Sequence, residues 1–188
     1  MKGRVLSRAF YARDTVTVAR ELLGKVLQHG GTAGRIVETE AYLGNDDLAA
    51  HSARGLTERT KVIFGPPGHA YVYLIYGMYE CLNIVADREG VPGCVLIRAV
   101  EPVEGIEEMR LRRLAARKDR DLASGPGKLT VALGITRAHN GCDVTRGPIT
   151  VHEGQGEFEI VTTARIGITK CADWPLRFVI AGNGFVSR

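Results

Sequence analysis

Strand-like runs that follow one another with little helix between them constrain this chain more than anything else in it. KVLQH (residues 25–29) and GRIVETEAYL (34–43), on either side of the glycine-rich GGTAG, read as a two-stranded hairpin. The tyrosine-rich YVYLIYGMYECLNI (Tyr71 to Ile84), CVLIRAV (Cys94 to Val100) and the pieces near ITVHE and RFVIA supply further strands. Helices are expected at TVTVARELL (15–23), with Asp14 as N-cap and Gly24 at its end, at Val103 to Arg117, and at Gly127 to Leu133. Parallel neighbours need long crossovers, usually helical, and few helices interrupt neighbouring strands here. The expected fold is therefore α+β: a curved, mainly antiparallel sheet, a roll or open barrel, surrounded by helices and carrying a protruding β-hairpin.

A chain of 188 residues suits a single domain, 1–188, and no repeat, low-complexity tract or linker divides it. No apolar run approaches the ~20 residues of a membrane span, and MKGRVLSRAF lacks the apolar core of a signal peptide, so a cytoplasmic protein is expected. Cys81, Cys94, Cys142 and Cys171 form no C-x-x-C pair and read as reduced thiols, mostly in the core. The histidines His29, His51, His69, His139 and His152 show no i,i+4 pair, so no metal is expected. LASGPGKLTVALGI misses the Walker pattern at Leu122 and Leu129, and no G-x-G-x-x-G follows a strand, so no nucleotide cofactor is expected either.

Four features carry chemistry. On a regular strand Ile36, Glu38, Glu40 and Tyr42 share one face, with the two carboxylates about 6.5 Å apart. Such a pair can divide acid and base roles, although periodicity alone favours the plainer wet face of a strand. The tyrosines are spaced as no regular strand allows: Tyr71 and Tyr73 lie two apart, but Tyr76 and Tyr79 follow at steps of three around Gly77. The segment turns or bulges at Ile75 to Met78, or is not a strand. Finally, net charge is +4, and RLRRLAARKDR (110–120) carries Arg110, Arg112, Arg113, Arg117, Lys118 and Arg120 against Asp119 alone. That run is either a solvated helix face or a contact for an acidic partner. The start of a helix beside Lys128, in SGPGK, suits a phosphate.

RIVETEAYLGNDDLAAHS, PPGHAYVYLIYGMYECLNIV, CVLIRAVEP, LASGPGKL and ARIGI, in that order, resemble the successive motifs of the alkyladenine (3-methylpurine) DNA glycosylase family. The likeness runs from FYARDTVTVARELLGKVL to RFVIAGNGFVS, with small departures at Thr60 and at Trp174 before Pro175. It implies a monofunctional enzyme, without metal or cofactor, that flips damaged purines (3-methyladenine, 7-methylguanine, hypoxanthine, ethenoadenine) out of double-stranded DNA and hydrolyses the N-glycosidic bond.

By this resemblance Glu40 is the general base and Glu38 has no catalytic role. Arg98 helps hold the attacking water or an adjacent phosphate, the plainer alternative being a buried arginine paired to a core glutamate. Backbone groups of Arg165 to Gly167 close the site. Tyr42 and His51 pack on one face of the flipped base and Tyr73 on the other, while Asn83 lies against its edge and collides with the amine of guanine. Tyr76, with Met78, enters the duplex as a wedge. Ser124, Gly125 and Lys128 contact the DNA backbone. A monomer without membrane association is expected. The chief rival is a non-catalytic nucleic-acid-binding module that stacks bases on a tyrosine-lined sheet. A nucleoside hydrolase, or a lyase using Lys128, would be told apart by duplex dependence and by borohydride trapping.

Overall fold

The computed structural model describes residues 3–44 and 46–187. In chain order its elements are α1 (Arg8–Tyr11), α2 (Thr15–Glu21), β1 (Val26–His29), β2 (Thr32–Tyr42), β3 (Ala70–Ile75), β4 (Tyr79–Ala86), β5 (Gly93–Glu104), α3 (Ile106–Arg112), α4 (Pro126–Leu133), β6 (Ile149–His152), β7 (Ile160–Thr163) and β8 (Arg177–Ile180). The strands form one antiparallel sheet in the order β3-β4-β5-β2-β1-β6, with β8 joined to β2 and β7 to β8, curled into a half-barrel. The α+β expectation, the antiparallel sheet and the projecting hairpin all match. No helix among the described residues is long and apolar enough to cross a membrane.

Strand β2 organises the sheet. Thr32 to Arg35 pair with β1, Glu38 to Glu40 pair with β8, and the opposite edge pairs with β5 throughout. Its register against β5 slips at Glu38↔Ala99 and returns at Thr39↔Ile97, leaving Val37 and Arg98 without bridge partners. Irregularities of this kind bend a strand and re-aim side chains. Both faces of β2 are covered. On one, Thr39 Oγ1 donates to the Ala19 carbonyl of α2 at 2.8 Å. The core includes Tyr11, Leu22, Leu27, Ile36, Ile97, Met109, Leu129 and Phe178, all essentially without exposed surface. Each large apolar side chain there contributes about 1.5–3 kcal/mol of transfer free energy.

Local chemistry explains the boundaries. Asp14 caps α2 by accepting from the Thr17 amide at 2.9 Å, as its position suggests. Strand β2 begins two residues before Gly34, because Gly30 and Gly31 alone make the turn between His29 and Thr32. The helix expected at Val103 to Arg117 is shorter: Val103 and Glu104 still belong to β5, and α3 ends at Arg112. The residues after it offer little apolar surface for packing, with Leu114 86% exposed and the small Ala116 partly packed on the core, and an isolated helix of that length is marginal. The loop around His51 contains a 3-10 turn, His51–Arg54, and β7 has no counterpart in the sequence reading. The tyrosine segment is two strands, β3 and β4, joined by a tight turn rather than one bulged strand.

Candidate active site

Glu38 and Glu40 do share a face of β2, but that face is dry: neither carboxylate has exposed surface. Burying a carboxylate is costly unless charges and donors compensate it, and both are compensated. Glu38 Oε1 accepts from Arg98 Nε (3.2 Å), Arg177 Nε (2.7 Å) and Ser187 Oγ (2.9 Å), and its Oε2 from the Ser187 amide (2.7 Å). Glu40 Oε1 accepts from the Ile166 amide at 2.8 Å and lies 3.3 Å from Arg98 Nη1, while Oε2 accepts from Tyr42 OH at 2.9 Å. A carboxylate offers about four acceptor positions. Four hydrogen bonds converge on Glu38, three of them on Oε1, whereas Glu40 accepts two, one on each oxygen, beside the Arg98 ion pair, and so keeps acceptor capacity. Arg98, expected either on the chemistry or paired to a core glutamate, bridges both carboxylates.

The wall in front of Glu40 is aromatic. A cavity of about 680 Å³ is lined by Tyr42, His51, Tyr73, Asn83, Leu96, Arg98, Ile166 and the Ser124–Lys128 turn, among others. Glu40 lies directly behind the wall, since its two donors, Tyr42 and Ile166, and its ion-pair partner Arg98 all line the cavity. Burial, and then the Glu40 charge, pushes the Tyr42 phenol up, so it stays a donor to Glu40. Behind the Tyr42 ring lies the Arg165 guanidinium, 4.6 Å from its centroid. Arg165 is itself fully buried, bonded to Asp47 at 2.5 and 2.8 Å and to the Ala41 carbonyl at 3.1 Å.

His51 stands with Tyr73 rather than with Tyr42. Their ring centroids are 4.5 Å apart at 68°, and His51 Nδ1 lies 2.9 Å from Tyr71 OH. These rings make one wall and Tyr42 the other, which corrects the expected grouping. Burial, aided by the charges of Arg59 and Arg54, lowers the His51 pKa to about 4, so the imidazole is neutral at neutral pH. Asn83 is buried and weakly held, with Nδ2 3.4 Å from the Tyr71 carbonyl and Oδ1 3.9 Å from Cys94 Sγ. Its hydrogen-bonding capacity is therefore largely free for a ligand. Burial pushes the Cys94 thiol up to about 12 and also raises Cys81, so both are inert at neutral pH. Of the four free cysteines these two are buried, and Cys142 and Cys171 are half-buried.

At the rim, Tyr76 (φ 53°) and Gly77 (φ 69°) form the tip of the β3–β4 hairpin, and the Met78 amide donates back to the Ile75 carbonyl at 3.3 Å. Tyr76 and Met78 are 80% and 67% exposed. Tyr79, just past the tip, packs on the Ser124–Lys128 turn so closely that a Cβ on Gly127 would lie 2.9 Å from Tyr79 Cβ. Only glycine fits there, and it fixes the hairpin against the lysine-bearing turn. Half of the six cations in the basic run are paired within the chain: Arg110 with Glu107 and Asp119, Arg112 with Glu108, and Arg120 with Asp121. Arg113 alone among those arginines lines the cavity. Sequence reasoning named Arg113 only within the basic run and Tyr71 only for its spacing, did not name Asp47, Arg177 or Ser187, and gave Arg165 only a backbone role. Among the described residues no group of three or more His, Cys, Asp or Glu side chains could hold a metal.

A half-barrel with a carboxylate–arginine centre behind an aromatic cavity, rimmed by an exposed tyrosine hairpin and a lysine-bearing turn, has the build of a hydrolase for a flat substrate. Residues 9–184 match the family described as methylpurine-DNA glycosylase (MPG). Relatives named "Putative 3-methyladenine DNA glycosylase" include one from Methanoculleus marisnigri, 54% identical over 97% of this chain and 98% of its own. Others come from Alkaliphilus oremlandii, 50% identical over 97% and 98%, and Legionella pneumophila, 47% identical over 98% and 99%. The chain belongs to the methylpurine-DNA glycosylase family, and so to the hydrolytic DNA glycosylases.

Proposed function

We propose that this chain excises damaged purines from double-stranded DNA with a water activated by Glu40. The observation that carries this is the contrast between the carboxylates: Glu38 is held by four hydrogen bonds, whereas Glu40 accepts two and keeps acceptor capacity beside the aromatic cavity. The base leaves the stack and lies between Tyr42 and the His51–Tyr73 wall. Water then reaches Glu40 past Arg98 and Ile166, loses its proton to the carboxylate and attacks C1′ as positive charge develops on the sugar. Asn83 sits where the amine of guanine would collide, while hypoxanthine lacks that amine. Purines alkylated at ring nitrogens leave readily because they already carry positive charge. Selection is then partly steric and partly chemical.

The tip supplies the remaining work. Extruding a nucleotide costs a few kcal/mol, and Tyr76, with Met78, fills the gap it leaves. Ser124, Gly125 and Lys128 take the phosphates, at the start of a helix whose free amides favour anions. One chain carries all of these parts, so a monomer suffices.

The test is a duplex carrying hypoxanthine, ethenoadenine or 3-methyladenine, incubated with the protein in EDTA and then treated with alkali. Strand breaks that appear only after alkali are expected. Tight lesion binding without release of free base would instead identify a non-catalytic binding module.

A further inference from the structure

Glu38 is a fully buried carboxylate that the proposed reaction leaves idle, yet three separate parts of the chain converge on it. Arg98 comes from β5, Arg177 from β8, and Ser187, which also lines the cavity, from the C-terminal segment. The first of these matters for the chemistry, because Arg98 is shared. Its Nε is 3.2 Å from Glu38 and its Nη1 is 3.3 Å from Glu40. A guanidinium facing a single carboxylate pairs with it through two parallel N–H bonds. On Glu40 that arrangement would occupy the acceptor position on which an attacking water depends.

We propose that Glu38 is a positioning residue that holds Nε of Arg98 and so restricts Arg98 to a single contact with Glu40. The inference rests on the reading of Glu40 as general base. The backbone assists: Arg98 has no bridge partner in the sheet, which lets its side chain lean across both carboxylates. Arg177 and the two Ser187 donors hold Glu38 from its other sides. That keeps it from competing for the water and fixes it as an anchor. A carboxylate that served only to hold the fold together would not need to share an arginine with the base.

The two roles separate in a double-mutant cycle of wild type, Glu38→Gln, Arg98→Ala and Glu38→Gln/Arg98→Ala. The readout is single-turnover release of hypoxanthine from a duplex, with duplex affinity measured in parallel. Glu38→Gln should slow release by about 10-fold or more, as loss of a supporting partner commonly does, with affinity unchanged. In the Arg98→Ala background the same substitution should change the rate less than about twofold, because residues acting as a unit are non-additive. Losses that multiply, a wild-type rate for Glu38→Gln, or an equal fall in affinity would each overturn the proposal. If Glu38→Gln does not fold, Glu38→Asp replaces it: the charge stays, but the shorter side chain withdraws first from Arg98 Nε, its longest bond. A wild-type chain that releases no base from any lesion overturns the proposed function itself, and the positioning role with it.

Discussion

Replacing Tyr76 with alanine should separate the work of the hairpin tip from that of the cavity. The ring is 80% exposed and sits in a turn whose neighbour, Gly77, faces open space, so the fold loses almost nothing when it is removed. Thermal stability should change by no more than about 0.5 kcal/mol, the usual range for surface positions. In the proposed complex the same ring would stack between bases, and stacking on a base is worth about 1–3 kcal/mol. At 1.4 kcal/mol per factor of ten, Tyr76→Ala should slow excision of a well-paired lesion by roughly 5- to 150-fold. A lesion opposite an abasic site has no partner to return to, and extruding it costs less, so the loss there should shrink to a few-fold. Tyr73→Ala should behave otherwise. Its ring forms the cavity wall with His51 at 4.5 Å, and losing that wall weakens hold on the base whatever lies opposite. The assay is single-turnover excision of hypoxanthine opposite thymine and opposite an abasic site. Equal losses for Tyr76→Ala on the two duplexes would refute the wedge and leave the exposed turn without a function in extrusion.

Glu40→Gln should keep lesion binding, since the amide preserves shape and Arg98 keeps Glu38, but lower excision by about 10²–10⁴-fold; near-wild-type rates, with Glu38→Gln inactive, would mean the other carboxylate is the base. The low pKa of His51, first from burial and then from Arg59 and Arg54, makes stability depend on pH. The unfolded chain takes up a proton near 6.5 and the fold only near 4, so this contribution is complete above pH 6.5 and is lost as pH falls to about 4. The loss is at most about 3 kcal/mol, and less after solvent screening. Urea unfolding at several pH values should show a flatter dependence for His51→Gln across that window, and identical slopes would refute it. Lys128→Ala should weaken binding to damaged and undamaged duplex alike and flatten the salt dependence by about one unit. Arg110→Ala should leave the slope nearly unchanged, because Glu107 and Asp119 already neutralise that residue.

How much of this was legible depends on the distance over which each feature is decided. Alternation put Glu38, Glu40 and Tyr42 on one face, and the broken tyrosine spacing marked the turn at Tyr76, because both are set within a few residues. Burial of that face was not legible, and periodicity favoured the wet alternative. What dries it comes from far along the chain: β8 pairs with Glu38 to Glu40, Ile166 reaches Glu40, and Ser187 reaches Glu38. The Arg165–Asp47 pair likewise joins residues 118 positions apart. The helix expected over Val103 to Arg117 proved shorter for the opposite reason. Its local composition suits a helix, but beyond Arg113 tertiary packing covers little more than Ala116. His51 was placed on the wrong wall because no local rule orients a ring leaving a loop, and here the Tyr71 hydroxyl does so.

The strand that carries Glu40 is also the one to which most of the sheet is attached, and this explains why the buried charges are tolerated. A carboxylate in a mobile or edge position would recruit water and lose its place. In β2 it is held on one side by β5 and on the other by β8, with Ile166 across its face. Such rigidity suits the proposed chemical step, which would need Glu40, Arg98 and the base in fixed register. It is useless for entering a duplex, where a side chain must leave water and slide between bases. In the proposed reading that task falls to the hairpin tip, which has two large exposed side chains. The contact of Tyr79 with Gly127 is where the two regimes meet, since it ties the tip to the lysine-bearing turn while α4 packs against the body of the sheet through Thr130 and the Glu80 carbonyl at 2.9 Å. A rigid centre and an exposed tip can then act on one nucleotide without either having to give up the property it depends on.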